Sequence, residues 1–474
     1  MKKLNWIFFL MGIISIPALH AQRWDAIPTG INLKYEQPPN FIYADSTYIY
    51  MSGRFHIIDG QHIQGIARWN GIKWDSMGAG LDRLIMYDSL SYNPSPIYAM
   101  TPYHNKLYVG GEFSSLGYLN APAIGTWNGK AWDSVPVQPF KNESYMGPTG
   151  AIAALTVINN KLYMGGEFDT VAGQPCIGIA YWNDTNWSSL NFSPELYFDQ
   201  INAICEYKGS IYVGGSFDGT NTRANICRWD SLGWHSMGIG VRGSLANVWC
   251  MAVYDGALYV GGAFSTSDGN AGNNIEKWDG TQWSDVSGGT DYQVENLLVY
   301  NGKLYAMGQL MIAGGVSADK IAEWDGTKWC SFGGNIYNTI STACIYKDTL
   351  YIGGGFEAFA NDTVKYLAKW AGGSYTDSCE DVTGINEVKG GNGNVKVYPN
   401  PSNGLFTLVI ASEAKQSPNT IEVYNVLGEN IYKAKINSDN TEINLSGQPN
   451  GVYLYRVISQ DGSLVGEGKE AIQH

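Results

Sequence analysis

Leu107-Tyr108-Val109-Gly110-Gly111-Glu112-Phe113, followed by Trp127 and Trp132, is the stretch that decides how this chain folds. The same phrase returns at residues 258–264 with Trp278 and Trp283, and in looser form five more times. Its tyrosines fall at Tyr50, Tyr108, Tyr163, Tyr212, Tyr259, Tyr305 and Tyr351, with separations that shrink from 58 to 46 residues. A period of that length marks a repeat architecture, and it is long enough for the four short strands of one propeller blade. The predicted fold is all-β: a seven-bladed β-propeller over residues 22–378, a linker over 379–394 and a small β-sandwich over 395–474.

Each repeat reads as four strands. The first alternates small and apolar residues, as in Ile201-Asn202-Ala203-Ile204-Cys205, and ends in a two-residue turn such as Asp255-Gly256 or Asn301-Gly302. Such pairs accept positive φ at low cost, as a tight hairpin requires. The second strand runs into a glycine pair. Its second glycine stands in all seven copies, at Gly53, Gly111, Gly166, Gly215, Gly262, Gly308 and Gly354. The expected reason is steric: no room for a Cβ where backbone or a ring packs. The third strand ends at a tryptophan (Trp69, Trp127, Trp182, Trp229, Trp278, Trp324, Trp370). In six copies a second one follows five residues later (Trp74, Trp132, Trp187, Trp234, Trp283, Trp329). Burying such a ring contributes roughly 1.5–3 kcal/mol. Identical rings in every repeat are what sheet-to-sheet packing demands, more than a sugar-binding platform would.

A glycine doublet closing the second strand, then a tryptophan-bearing hairpin, resembles the kelch-type β-propeller. The resemblance covers residues 22–378 and departs at Ser52 and Met307, which replace the first glycine of their pairs. It implies a fold more than a function, because propellers of this type serve as oxidases, binding scaffolds and adaptors.

The seventh copy has Trp370 but only Tyr375 near the place of a second tryptophan. Arg23-Trp24-Asp25-Ala26-Ile27 matches Lys73-Trp74-Asp75-Ser76-Met77 and is an orphan fourth strand. Inserting it into the last blade closes the ring and removes an open edge; the alternative is that Tyr375 completes the blade alone.

In an up-and-down blade, the first and third turns lie at one end, and the second turn and interblade link at the other. Here the first and third turns are tight. The second loops (56–65, 114–123, 169–178, 218–225, 265–274) and the insertions at 81–96 and 136–150 are long. Variable loops on a rigid scaffold are where binding sits. His56, Asp59, His62, Tyr118, Asp169, Asp218 and Asp268 are therefore the candidate ligand-binding residues, with a glycan or an extracellular protein as the expected partner.

Charge narrows the field. A formal net charge of −13 repels phosphate backbones, which argues against nucleic acid as a partner. Lys2 and Lys3, an apolar stretch over 6–17 and Ala18-Leu19-His20-Ala21 read as a signal peptide over residues 1–21, too short for a transmembrane span. No other segment is long enough to span. The seven cysteines are scattered through the repeats, against a disulfide framework or metal cage, and Cys227 fills a slot held elsewhere by Ala67, Ala180, Ala322 and Ala368.

Beyond Trp370 the pattern stops. Val395-Lys396-Val397-Tyr398-Pro399-Asn400-Pro401, Gly404-Leu405-Phe406-Thr407-Leu408, Ile421-Glu422-Val423-Tyr424 and Asn450-Gly451-Val452-Tyr453-Leu454-Tyr455 alternate apolar and polar residues between turn signals. The run Tyr-Pro-Asn-Pro, Asn-x-x-Gly and the closing Asn450-Gly451-Val452-Tyr453 resembles the type IX secretion C-terminal sorting domain of Bacteroidota. That resemblance implies export to the outer-membrane surface or beyond, with the secretion machinery as a second partner. Gly468-Lys469 runs into Glu470-Ala471-Ile472-Gln473-His474, which predicts an irregular end to the last strand.

Catalytic signatures are sparse. No G-x-S-x-G elbow or H-E-x-x-H is present. His56 and His62 share a loop with Asp59, which allows a metal, but without a third ligand at a known spacing solvated loop residues are the expected reading. Glu112 and Glu167 hold equivalent places beside the glycine pair and would serve an alternative reading, an extracellular polysaccharide-active enzyme at the mouth of the channel. No cofactor is expected.

Overall fold

A computed structural model describes residues 24–31, 38–81, 96–135, 139–140, 150–190, 200–217, 225–243, 245–332, 336–359, 363–371, 395–400, 402–410, 419–425, 429–436, 438, 440–459 and 464–473. The chain divides into two compact units, Met1–Cys379 and Glu380–His474.

The first unit is a β-propeller, built among its described residues from seven antiparallel blade sheets, four-stranded in blades 1 to 6 and five-stranded in blade 7, where Ile336–Tyr337 adds a strand. Blade 1 holds Pro39–Ala44, Ile49–Gly53, Ile66–Trp69 and Trp74–Ser76 in that order from its inner edge. The first strands of blades 2 to 7 are Ile97–Tyr103, Ala151–Ile158, Gln200–Tyr207, Asn247–Tyr254, Val294–Tyr300 and Thr342–Tyr346. Each packs on the first strand of the next blade, and the seventh packs on that of blade 1, so the ring is closed.

The fourth strand of blade 7 comes from the other end of the chain. Trp24–Ala26 pairs with Thr363–Trp370, with Trp24 opposite Trp370. Their rings meet at 5.1 Å, as the hairpin pairs Trp127–Trp132, Trp278–Trp283 and Trp324–Trp329 do at 5.0, 5.1 and 5.2 Å. Trp24 thus fills the place of the missing second tryptophan; Tyr375 lies outside the described residues.

Three repeated contacts tie the blades together. The second tryptophan donates its indole N–H to a carbonyl just past the fourth strand of the preceding blade: Trp132 to Met77, Trp234 to Leu190, Trp283 to Met237, Trp329 to Val286, at 2.7–2.9 Å. The tyrosine closing the first strand donates to the first turn of the following blade, as Tyr207 does to Gly256 at 2.7 Å and Tyr254 to Gly302 at 3.1 Å. The third contact uses the glycine doublet. A Cβ on Gly214 would lie 2.4 Å from Val248 of the next blade, and one on Gly215 would lie 1.9 Å from the Gln200 carbonyl of its own first strand. The first glycine lets sheets approach, and the second lets the inner strand bulge toward it. The two departures fit this account. Ser52 uses its hydroxyl, donating to the Gly65 carbonyl and accepting from the Ile97 N–H of the next blade. Met307 is fully buried among Ile340 and Ile352.

The tight hairpins follow from their residues. Asp255-Gly256 and Asn301-Gly302 take the positive φ that their composition predicts. In the third turn the side chain of Asn70, Asn128, Asn183, Asp279 or Asp325 accepts two backbone N–H bonds, which holds the five-residue tryptophan spacing constant. Cysteine chemistry is mixed: Cys176, Cys205, Cys227, Cys250 and Cys344 are free, but Cys330 is disulfide-bonded, so the scatter of cysteines does not exclude a bridge.

The second unit is a β-sandwich of a three-stranded sheet (Val395–Tyr398, Leu405–Ile410, Asn440–Asn444) and a four-stranded one (Asn430–Ile436, Asn419–Tyr424, Gly451–Ile458, Leu464–Ile472). Phe406, Leu408, Ile421, Val423, Ile443 and Val457 fill its core. The expected irregular end is not found. Leu464–Ile472 pairs with Gly451–Ile458 as far as Gly451 opposite Ile472, and Ile472 is buried. Asn400 of the Tyr-Pro-Asn-Pro run supports it from outside, donating to the Lys469 carbonyl at 2.7 Å and accepting from the Ala471 N–H at 3.0 Å.

Candidate functional site

The second loops are more ordered than their sequences suggest. In four blades they fold into tiny hairpins: Ile57–Ile58 with Gln61–His62, Ser115–Leu116 with Leu119–Asn120, Thr170–Val171 with Gln174–Pro175, and Ile312–Ala313 with Val316–Ser317. Each buries one aliphatic residue, Ile58, Leu116, Val171 or Ala313, beneath its turn. The tips rest on the preceding interblade link, with Gly117 N–H donating to Gly80 and Gly314 N–H to Gly289.

These loops carry the predicted binding residues, spread over successive blades. His56 is half-buried and His62 exposed; both line one cavity of about 360 Å³ with Gln64, Ser76, Gly78 and Gly80. Asp59 occupies the hairpin turn at φ 48°, is exposed, and donates its N–H to the Thr29 carbonyl. Tyr118 stands 98 % exposed at the tip of its hairpin. Asp169 is half-buried, and its carbonyl accepts from Cys176 N–H. Asp268 accepts from the Ser265 hydroxyl at 2.9 Å and lines a cavity of about 540 Å³ with Leu245, Asn273 and Asp291. Asp218 lies outside the described residues, as do residues 1–21, the expected signal peptide, and most of the two long insertions. His56 and His62 are thus brought to one cavity, while Tyr118, Asp169 and Asp268 stand on three other blades. No group of three metal-ligating side chains gathers among the described residues.

A second feature of the same end was not anticipated. In six blades the first strand bulges opposite the glycine doublet, adding one residue: Asn40, Tyr98, Ala153, Asn202, Trp249 or Glu295. These residues lie on the inner edge of the ring, at the end where the second loops emerge. Apart from two asparagines they share no chemistry, although the frame around them repeats closely. Around them, Tyr98 donates to Glu112 at 3.2 Å, Asn202 to Asn247 at 2.8 Å, and Gln293 and Gln309 each to Glu295 at 3.3 Å. Burial and the Glu112 carboxylate push the Tyr98 hydroxyl above its ordinary pKa, with Arg54 pulling the other way. The mouth of the ring is therefore a circle of amides, carboxylates and two aromatic rings. Its sequence signal was a tryptophan, Trp249, outside the five-residue hairpin spacing.

The tail has a known relative. Residues 396–467 match the family described as the secretion system C-terminal sorting domain. The C-terminal unit is a type IX secretion sorting domain. A chain carrying this sorting domain is directed to the cell surface or the extracellular space, and the domain implies interaction with the secretion machinery. No helix among the described residues is long and apolar enough to cross a membrane. Among curated proteins none matches the chain. Solved structures that resemble the chain share little sequence with it. The extracellular domain of a hybrid two component system from B. thetaiotaomicron is 13 % identical, with 82 % of this chain covered, 45 % of that one and a TM-score of 0.44. PorZ, a surface component of the type-IX secretion system of Porphyromonas gingivalis, is 14 % identical, with coverages of 91 % and 69 % and a TM-score of 0.34. The β-propeller domain of the Trilobed protease from Pyrococcus furiosus is 11 % identical, with coverages of 71 % and 96 % and a TM-score of 0.43. The chain spans about half the length of the three B. thetaiotaomicron extracellular domains it matches.

Proposed function

We propose that this chain is a kelch-type propeller, exported by its sorting tail, that binds a glycan or an extracellular protein at its loop-rich end. Residues 22–378 are the working part, and residues 395–474 are its address. The observation that carries this reading is the contrast at the inner edge: strands, turns and tryptophans repeat blade after blade, while the bulged residues vary between blades, and five of the six are polar or aromatic. A rigid ring with one variable end is built for recognition. The carboxylates at the mouth are held by neighbouring amides and by Tyr98, an arrangement suited to accepting hydrogen bonds from a ligand. The test is a combined glycan and peptide array probed with the full chain. Binding in either panel supports the reading. No binding in both, with turnover of a polysaccharide by the same preparation, overturns it in favour of an enzyme.

A further inference from the structure

Trp249 differs from the other described tryptophans of the ring. Those sit on third or fourth strands, and most pair ring to ring within a hairpin. Trp249 sits on a first strand, at its bulge, and is half-buried. Among the described residues it makes no ring contact, and its indole N–H has no hydrogen bond. Its neighbours are committed elsewhere. Val248 packs against Gly214 of the preceding blade, and the Cys250 thiol faces the Val294 carbonyl of the following one at 3.7 Å. The residue between them is left with the free edge of the inner strand, which borders the mouth of the channel.

Polar groups stand on the neighbouring first strands to either side of the Trp249 bulge. On one side Asn202 donates to the Asn247 side chain at 2.8 Å and to the Val248 carbonyl at 3.3 Å, the two residues just before Trp249. On the other, Glu295 is the bulged residue of the next blade. Its carboxylate is close enough to act electrostatically on Cys250, and Gln293 and Gln309 hold it in place. An open indole face between a paired amide cluster and a braced carboxylate fits a pyranose ring. The apolar C–H face of the sugar stacks on the indole, and neighbouring hydroxyls bond to side chains that both donate and accept. The one recorded cation at its margin, Lys320, donates to the Gln309 carbonyl at 3.0 Å, while the Glu295 carboxylate repels an acidic sugar, so the side chains offered to hydroxyls favour a neutral one.

We infer that the Trp249 sector of the channel mouth is a subsite for a neutral sugar residue of an extracellular oligosaccharide, with Trp249 as the stacking platform and Asn202, Asn247 and Glu295 as the hydroxyl-binding groups. This rests on the reading that the loop-rich end binds ligands, and it narrows that reading to one class and one sector.

The experiment uses the full chain on an array of neutral gluco-, xylo-, manno- and galacto-oligosaccharides, followed by calorimetric titration of the best binder. Trp249→Ala should weaken that binding at least tenfold, and Trp249→Phe should recover most of it. Leu232→Ala, 87 % exposed in a third turn at the opposite end of the ring, should leave it within twofold. Where Trp249→Ala unfolds, the wild-type chain labelled with 5-fluorotryptophan keeps the test decisive. The resonance missing from Trp249→Phe should be the one that shifts most on adding the sugar. Absence of any neutral-oligosaccharide binder overturns the inference, as does binding indifferent to Trp249 or a shift confined to other tryptophans. A peptide ligand, or a sugar lost only on Tyr118→Ala or Asp268→Ala, also overturns it while leaving the broader reading intact.

Discussion

The indole N–H of Trp74 donates to the carbonyl oxygen of Pro28 at 2.8 Å. Every other bond of this kind joins a blade to the link that precedes it, so Pro28 holds the place that Met77 holds for Trp132. The segment after Trp24 is therefore treated by blade 1 as an ordinary interblade link. Tyr346 completes the seam from the other side, donating to Thr47 and Asn70 of blade 1.

Removing residues 22–30 should open this seam. The loss exposes an unpaired strand edge in blade 7 and removes Trp24, which is 4 % exposed and packed on Trp370 and Phe332. Trp24→Ala alone should cost about 3–5 kcal/mol, the usual range for a buried tryptophan. Calorimetry reads both effects. A truncated chain that melts with the intact one would show that blade 7 closes without the N-terminal strand.

Gly262→Ala should destabilise the propeller by about 1–3 kcal/mol, because the new Cβ meets a carbonyl and neither can yield freely. That Cβ would stand 1.9 Å from the Asn247 carbonyl, beside the bulge that carries Trp249. Urea unfolding measures the cost. An unchanged midpoint would mean that the inner strand can give up its bulge without penalty.

Glu276 should give the propeller a pH-dependent stability. It is fully buried in the third strand of blade 5, in the slot where other blades have Ala67, Gly125, Ala180, Cys227, Ala322 and Ala368. One carboxylate oxygen accepts from Ala271 N–H. Burial raises its pKa from 4.5 to about 7, against the opposing pull of the Ala271 and Gly272 N–H groups. The folded state then holds its proton more tightly than the unfolded chain. Its stability contribution is complete below pH 4.5 and is lost as pH rises through 7, by up to about 3 kcal/mol. Glu276→Gln should flatten the melting-temperature profile between pH 4.5 and 7.5 and raise it at pH 8. Parallel profiles for the two proteins would refute the assignment.

Deleting residues 395–474 should strand the propeller in the periplasm of a cell with type IX secretion, and the same segment should carry a periplasmic reporter outside. Asn400→Ala should weaken that export, since it removes both side-chain bonds that brace the last strand. Cell fractionation decides; full export of the Asn400→Ala reporter would show that the brace is dispensable.

The frame was legible because it is enforced in every repeat. Gly215 cannot change without a clash, and Trp132 cannot change without leaving both a void and an unmatched carbonyl, so both recur at fixed spacing. The hairpin tips were not legible. Strands as short as Gln61–His62 are too brief for alternation to register, and only the recurring buried residue, Ile58 or Leu116, hints at them. The bulges left no common residue either. A bulge adds a position without dictating what fills it, so Asn40, Tyr98, Ala153, Trp249 and Glu295 look unrelated until the register is seen. Glu276 could have been found by aligning the repeats, as a carboxylate among alanines. The end of the tail misled because Glu470 breaks the apolar alternation; the backbone pairs through it, held by Asn400.

Pairing Trp24 with Trp370 also sets an order of events. The first described strand to be synthesised and exported finds its partner 346 residues later. Closing so long a loop is slow, although its entropic cost grows only with the logarithm of its length. Until Thr363–Trp370 is in place, the ring has no means of shutting. The circle of inner-strand bulges is completed only after that. The sorting tail follows Trp370 in the chain, so the address arrives just after the last piece that lets the cargo lock.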